Sequence, residues 1–320
     1  MKRIEISNLV SLEDSYDTVG DQEIGDGVRI ESLRFDERGT KLYELLRIQN
    51  EEHYNRLIFR QQLEPFRPYS HRFFILVEDV TALYDPRIRD AEQLLALAIV
   101  LARMVKPLAI PLHPTSVRCL YDENGNVTCS AWAYCGFYSE AYVGSRKEIP
   151  KLNQAEAEEI QAYWRAFRFL YNNRPQHLRI YRALYMFNEA GHIRPLNVRH
   201  IILHTALESM ICTSRNFKRK QVVQRLMQLT SLTEYQAEAI YQLCNDFKHS
   251  AAPNFLNSPD TENLTREDQE REETTLWLEA ALCELFRKIL ADTTLLDDLA
   301  DPQKLVKKYP VRNEKGKLVS

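Results

Sequence analysis

Apolar and polar positions change rhythm once along the chain, close to residue 150. Ahead of that point the apolar residues come in short runs. Residues 73–77, FFILV, are apolar without interruption and stop at Glu78 and Asp79, the pattern of a buried strand. Asn124 and Gly125 separate the runs 117–121 and 127–134, and an Asn-Gly pair suits the positive backbone angles of a two-residue hairpin turn. Between these strands, 90–105 repeats its apolar residues at helical spacing and must end before Pro107 and Pro111. The positions Leu42, Leu45, Leu46, Tyr54, Leu57 and Ile58 follow a helical rhythm in part, which predicts a helix within 41–59. Residues 1–40 hold four of the nine glycines and many acids, with strand-like pieces such as 28–33, and read as irregular or edge structure.

After Gly144 and Pro150 the rhythm becomes helical and stays so. It predicts helices over 153–171, 175–189, 195–212, 217–229, 232–249 and 265–290, whose short connections suit an antiparallel bundle. Ser231 with Glu234 offers a capping box for the fifth of these, and Thr265 with Asp268 an acidic variant for the sixth. The intervening 250–264, with two prolines and many small or polar residues, reads as an exposed loop. Residues 301–320 carry six Lys or Arg against two acids, plus Pro310, and read as a solvated basic tail with at most a weak nucleic-acid contact. The fold class is therefore α+β: a mixed domain over 1–150, suited to recognition, then a helical bundle over 151–300.

Composition narrows the function classes. A chain of 320 residues has room for two cores, and a formal charge of −3 does not mark the whole molecule as a polyanion binder. The amino-terminal stretch turns acidic before any long apolar run, unlike a signal peptide, and the most apolar stretch, 95–112, is broken by Arg103, Lys106 and Pro107. No membrane partner is expected. Six cysteines, with no CxxC pair or metal-finger spacing, read as reduced thiols of a cytoplasmic protein that uses no metal. No glycine-rich phosphate loop is present, so no nucleotide cofactor is expected. Trp132, Tyr134, Phe137, Tyr138 and Tyr142 could stack on bases, but no cations are interleaved among them, which favours a small-domain core.

The chemistry gathers at the end of the fifth bundle helix, in Cys244, Asn245, Lys248 and His249. At roughly 100° per residue, Ile240, Leu243 and Phe247 share one face. Asn245 and His249 then stack on the opposite side, with Cys244 and Lys248 on the flank between. The cluster is expected to face solvent or a second subunit. A histidine transfers protons near neutrality, an asparagine orients a group, and a lysine attracts phosphate or steadies an oxyanion. The same residues also serve plain stability beside a helix carboxyl end. Upstream, His200, His204 and Glu208 are four apart and form a polar stripe; packing explains it, as would support for His249 or a metal. Arg199 and His204 have the spacing of an Arg–His motif but precede the signature region. Arg215, Lys218, Arg219, Lys220 and Arg225 concentrate positive charge on the next helix, as a solvated face or as the lining of an RNA cleft.

The helical half resembles the HEPN superfamily, in particular its ApeA-like group. The resemblance runs through 163–170, 179–188 and ILHTALESMI at 202–211. It culminates in AIYQLCNDFKHS at 239–250, and 265–290 fits the closing helix, so that about 140 residues are covered. It implies a metal-independent endoribonuclease ancestry, a homodimer with two signature helices across a composite cleft, RNA as substrate, and a place in anti-phage or toxin–antitoxin systems. The signature is Arg, often followed by Asn, Asp or His, then three residues and His. Here the histidine falls at His249, the polar neighbour at Asn245 and the arginine position at Cys244. A cysteine lacks the planar fork of donors that grips a phosphate, so cleavage is expected to be impaired, with Lys248 a partial substitute. The alternative is a noncatalytic dimeric binding or regulatory protein with a protein partner.

Overall fold

The computed structural model describes residues 3–11, 22–32, 69–80, 85–105, 115–124, 127–133, 153–191, 193, 195–249, 265–313 and 315–319. The helix predicted within 41–59, the aromatic positions Tyr134, Phe137, Tyr138 and Tyr142, and the loop 250–264 lie outside them. The chain forms two compact units, residues 1–140 with 148–164 and residues 141–147 with 165–320.

The first unit is built on a six-stranded antiparallel sheet. Its strands are β1 (Arg3–Ser11), β2 (Gln22–Gly25), β3 (Val28–Ser32), β4 (Tyr69–Glu78), β5 (Thr115–Tyr121) and β6 (Val127–Ala133), in the order β2-β3-β4-β1-β5-β6. Within the amino-terminal stretch β2 does stand at the sheet edge, but β1 lies in the interior of the sheet between β4 and β5. Ile6 pairs with Ile75 and Ile4 with Val77, while Val28 and Ile30 of β3 stand opposite Ile75 and Phe73. Directly opposed residues share a face, so these side chains form one apolar surface. Ile4, Ile6, Val28, Ile30 and Phe73 are fully buried. Helix α1 (Pro86–Val105) packs on β4, β1 and β3, burying Ile88, Ala91, Leu95, Ala98, Leu101, Ala102 and Val105 at steps of three and four. β5 and β6 form the hairpin that Asn124 announces.

The β2–β3 turn shows why a glycine is needed. Asp26 and Gly27 both have positive φ, 52° and 77°, the primed turn that matches strand twist. Trp164 donates its indole N–H to Asp26 at 3.0 Å and lies so close to Gly25 that a Cβ there would stand 2.2 Å from the ring. Gln154 and Gln161 bond Gln22 on the same hairpin.

The second unit is helical: α2 (Gln154–Asn172, from Arg165 onward), α3 (Leu178–Ala190), α4 (Leu196–Ile211), α5 (Lys218–Leu229), α6 (Glu234–His249), α7 (Arg266–Ala291), α8 (Thr293–Ala300) and α9 (Pro302–Lys308). Helix α4 is central and packs against α3, α5, α6, α7 and α8. Its packed faces include the polar positions, so Arg199, His200 and His204 are all buried, while Val198 stays exposed. Each buried polar group then needs a partner. Arg199 donates to both carboxylate oxygens of Glu279 on α7, at 2.7 and 2.8 Å. His200 bonds Thr275 at 3.0 Å and the Ile240 carbonyl at 3.1 Å. The apolar remainder closes around Phe187 and Phe286, edge to face at 5.4 Å; each such ring contributes roughly 1.5–3 kcal/mol by burial.

Caps and terminal segments differ in part from the sequence pattern. Thr265 and Asp268 form the predicted box on α7. At α6 the box is Thr233 with Gln236, each side chain bonding the other's backbone N–H, while Ser231 turns away to donate to Glu284. The predicted solvated tail is docked. Asp301 caps α9 with Pro302 in the first turn. A short hairpin of β7 (Val311–Arg312) and β8 (Leu318–Val319) follows. Leu305 and Val311 are fully buried, and Gln224 of α5 exchanges two hydrogen bonds with the Arg312 backbone, both 2.8 Å. Two well-placed apolar side chains outweigh the local excess of cations, whose charges stay at the surface.

Candidate functional site

The end of α6 is set by its core stripe. Ala237, Ile240, Leu243, Cys244 and Phe247 are buried, while Asn245, Asp246, Lys248 and His249 are exposed. Three of the four predicted site residues therefore do face outward. Cys244 does not: it is 1% exposed, because its position on the wheel falls beside Ile240 and the stripe turns it inward. Burial raises the thiol's pKa, against the lowering effect of the Lys248 ammonium that hydrogen-bonds it. A neutral, buried thiol presents no donor fork to a ligand. Among the described residues His249 has neither a hydrogen bond nor an ion pair. Lys248 and His249 occupy the last turn, where cations complement the helix carboxyl end.

The stripe on α4 meets this flank. His204 packs edge to face on Tyr241 at 5.7 Å, and its Nδ1 lies 3.5 Å from Glu208 Oε1. Neither His204 nitrogen makes a hydrogen bond among the described residues. The 3.5 Å approach to Glu208 is an ion-pair distance and not a hydrogen bond. Burial pushes the His204 pKa down to about 3, helped by the Lys248 and Lys218 charges, and that of His200 to about 3 also by burial. Both rings are neutral at pH 7. Glu208 Oε2 accepts from Lys218 Nζ at 2.7 Å, and this bond raises the lysine's pKa. Among the described residues no three His, Cys, Asp or Glu converge to hold a metal.

The predicted basic patch divides. Arg215 is exposed and Lys220 partly so; Lys218 is held by Glu208, and Arg219 donates to Glu238 at 2.8 Å. Arg225 is no part of a surface. It is fully buried and donates to the Tyr309 carbonyl at 3.0 Å, to Gln221 at 3.1 Å and to the Ile211 carbonyl. Arg179 donates to the carbonyls of Ser209, Met210 and Cys212, at 2.7 to 3.1 Å. The two guanidinium groups thus cover the last carbonyls of α4, where charge and orphan acceptors both favour them. Gln221 binds Thr213, Ser214 and Asn216, fixing the short connection that brings Lys218 back to Glu208. Neither arginine's role is visible in spacing, since both depend on carbonyls about 14 to 84 residues away.

The arrangement as a whole places an exposed histidine and asparagine one turn apart, two lysines from different helices, and a buried neutral imidazole behind them. Proton transfer and anion binding are both within its means. Comparison with protein-family models, curated proteins and solved structures returns no match to this chain. No helix among the described residues is long and apolar enough to cross a membrane.

Proposed function

We propose that the helical unit is a HEPN-type, RNA-directed effector whose metal-independent endoribonuclease activity is attenuated by Cys244. The observation that carries this reading is the end of α6. Asn245 and His249 are exposed one helical turn apart, and Lys248 reaches back over the cysteine that stands where the resembled signature has arginine. In this reading His249 takes the proton of a ribose 2′-hydroxyl as that oxygen bonds the adjacent phosphorus and the bond from phosphorus to the 5′-oxygen breaks, leaving a 2′,3′-cyclic phosphate and a 5′-hydroxyl to which a proton is returned, and Asn245 orients the attacked group. Lys248 supplies point charge where a forked donor is missing. The unit acts as a homodimer that joins two α6 ends across one cleft, and its biological setting is anti-phage or toxin–antitoxin defence. The burial of Cys244 supports a second reading, a noncatalytic dimer that binds RNA or a regulatory protein, because a buried thiol gives a phosphate no grip.

Cleavage of mixed-sequence RNA in EDTA, by the chain as it stands and by Cys244→Arg and His249→Ala, tests the proposal. Loss of one fixed donor to a developing oxyanion costs about 10²–10³ in rate. Cys244→Arg is therefore expected to raise cleavage by that factor, and His249→Ala in the same background to abolish it. A folded dimer that neither binds nor cleaves RNA in any of these forms refutes the reading.

A further inference from the structure

Next to Lys248, the junction of α4, α5 and α6 holds His204, Glu208 and Lys218, side chains that the proposed cleavage step does not use. His204 is 1% exposed with both ring nitrogens unpaired among the described residues, so packing alone would be better served by an apolar ring there. Its Nδ1 is directed at Glu208, 3.5 Å away, whose other oxygen holds Lys218 at 2.7 Å. The Lys248 ammonium arrives from α6 and acts on both His204 and Cys244. Three helices therefore contribute to one small polar group that runs from the buried His204 to the exposed Lys248.

Its charge is informative. Lys218 and Lys248 contribute two positive charges and Glu208 one negative. His204 and Cys244 are neutral, since burial lowers the first and raises the second. The sum is one positive charge. A phosphodiester carries one negative charge and presents two free oxygens, which an imidazole N–H and an ammonium can bind together.

We propose that His204, Lys218 and Lys248 form a site for one phosphodiester group of a bound RNA strand, with Glu208 holding Lys218 until the phosphate takes its place. This rests on the RNA reading above and adds to it a second phosphate contact from α4 and α5. Glu208 is a competitor and not a ligand: its carboxylate repels the phosphate and occupies the cation that binds it. Removing Glu208 and removing Lys218 break the same ion pair yet have opposite consequences for binding.

The test uses the full chain with ¹⁵N-labelled histidine rings, titrated with dimethyl phosphate and, separately, with inorganic phosphate. The His204 resonances are assigned by their loss in His204→Gln. Saturable movement of those resonances with dimethyl phosphate is expected. Glu208→Gln should tighten binding about tenfold and Lys218→Gln weaken it about tenfold, the size of one charge-assisted contact. Glu238→Gln, which breaks the Arg219 ion pair and leaves the Glu208–Lys218 pair in place, should not change the binding. No saturable movement, or a change of the same sign in both variants, overturns the proposal, as does a response to inorganic phosphate alone. A noncleavable 2′-deoxy dinucleotide separates this site from the RNA reading. Loss of its binding in Lys218→Gln supports both. Unchanged binding, with dimethyl phosphate still bound at His204, keeps the anion site and removes its assignment to RNA. Dinucleotide binding without any His204 response keeps the RNA reading and removes the site.

Discussion

Acidification from pH 7 to pH 5 should destabilise the helical unit by about 4 kcal/mol, because His200 and His204 are neutral in the fold and charged in the unfolded chain. The two rings are 0% and 1% exposed, and burial is the main cause that lowers each pKa from 6.5 to about 3. They also stand 6.4 Å apart, so the charge of one opposes that of the other. In the unfolded chain each imidazole takes a proton near pH 6.5; in the fold neither does until near pH 3. The stability is fully present above pH 6.5 and is lost progressively as the pH falls toward 3. Linkage over pH 7 to 5 gives about 2 kcal/mol per ring. Urea unfolding followed by far-UV ellipticity, which the helices dominate, measures this directly. His204→Phe keeps a ring beside Tyr241 and removes one titration. It should be about 1 kcal/mol more stable at pH 7, where two unpaired nitrogens disappear, and should lose only about 2 kcal/mol on acidification. A wild-type loss below about 1 kcal/mol, or an undiminished loss in His204→Phe, refutes the account of the buried stripe.

Other perturbations probe the remaining polar framework. Glu279→Ala leaves the Arg199 guanidinium buried without its carboxylate and should cost about 3–5 kcal/mol in urea unfolding, whereas Arg199→Met with Glu279→Leu should be near neutral. Arg225→Ala removes the donors to the Ile211 and Tyr309 carbonyls and should cost about 3 kcal/mol, with β7 and β8 losing amide-exchange protection first. Thr233→Ala should cost about 1 kcal/mol through loss of the α6 cap. Ser231→Ala should leave that cap intact, and amide exchange in the first turn of α6 separates the two.

The helical half is legible in the sequence because most of its helices, α4 apart, are amphipathic and its breaks carry Pro, Ser, Thr or Asp. The predicted spans 153–171 and 265–290 meet Gln154–Asn172 and Arg266–Ala291 almost end to end. Central β1 was obscured because its apolar residues, Ile4, Ile6, Leu9 and Val10, alternate only loosely and are followed by glycine-rich, acidic sequence. Its place in the sheet comes from pairing with Ile75 and Val77, about 70 residues away, which no local pattern records. The docking of the tail is hidden for a related reason: its excess of charge is local and visible, while Leu305 and Val311 are buried through tertiary contacts.

At the candidate site, wheel geometry alone placed Asn245 and His249 outward, because the opposing face is firmly apolar. It could not place Cys244, which sits at the border of that face. A small side chain there goes inward once α4 supplies a seam to fill. The polar stripe His200, His204 and Glu208 was visible as spacing, but its division of labour was not. His200 is satisfied by Thr275 and Ile240, and His204 is left unpaired. That difference arises from which residues of α6 and α7 lie opposite, and a single helix's sequence does not encode it. Arg225 shows the converse, a cation in a basic run that belongs to the core.

The most direct measurement of the central claim is RNA cleavage in EDTA by Cys244→Arg, with and without His249→Ala, on protein confirmed as folded and dimeric by ellipticity and light scattering. The chain as it stands should bind RNA and cleave it feebly, Cys244→Arg should raise cleavage about 10²–10³-fold, and removal of His249 should abolish it. An equally inactive Cys244→Arg protein that binds no RNA, or cleavage that persists without His249, contradicts that claim.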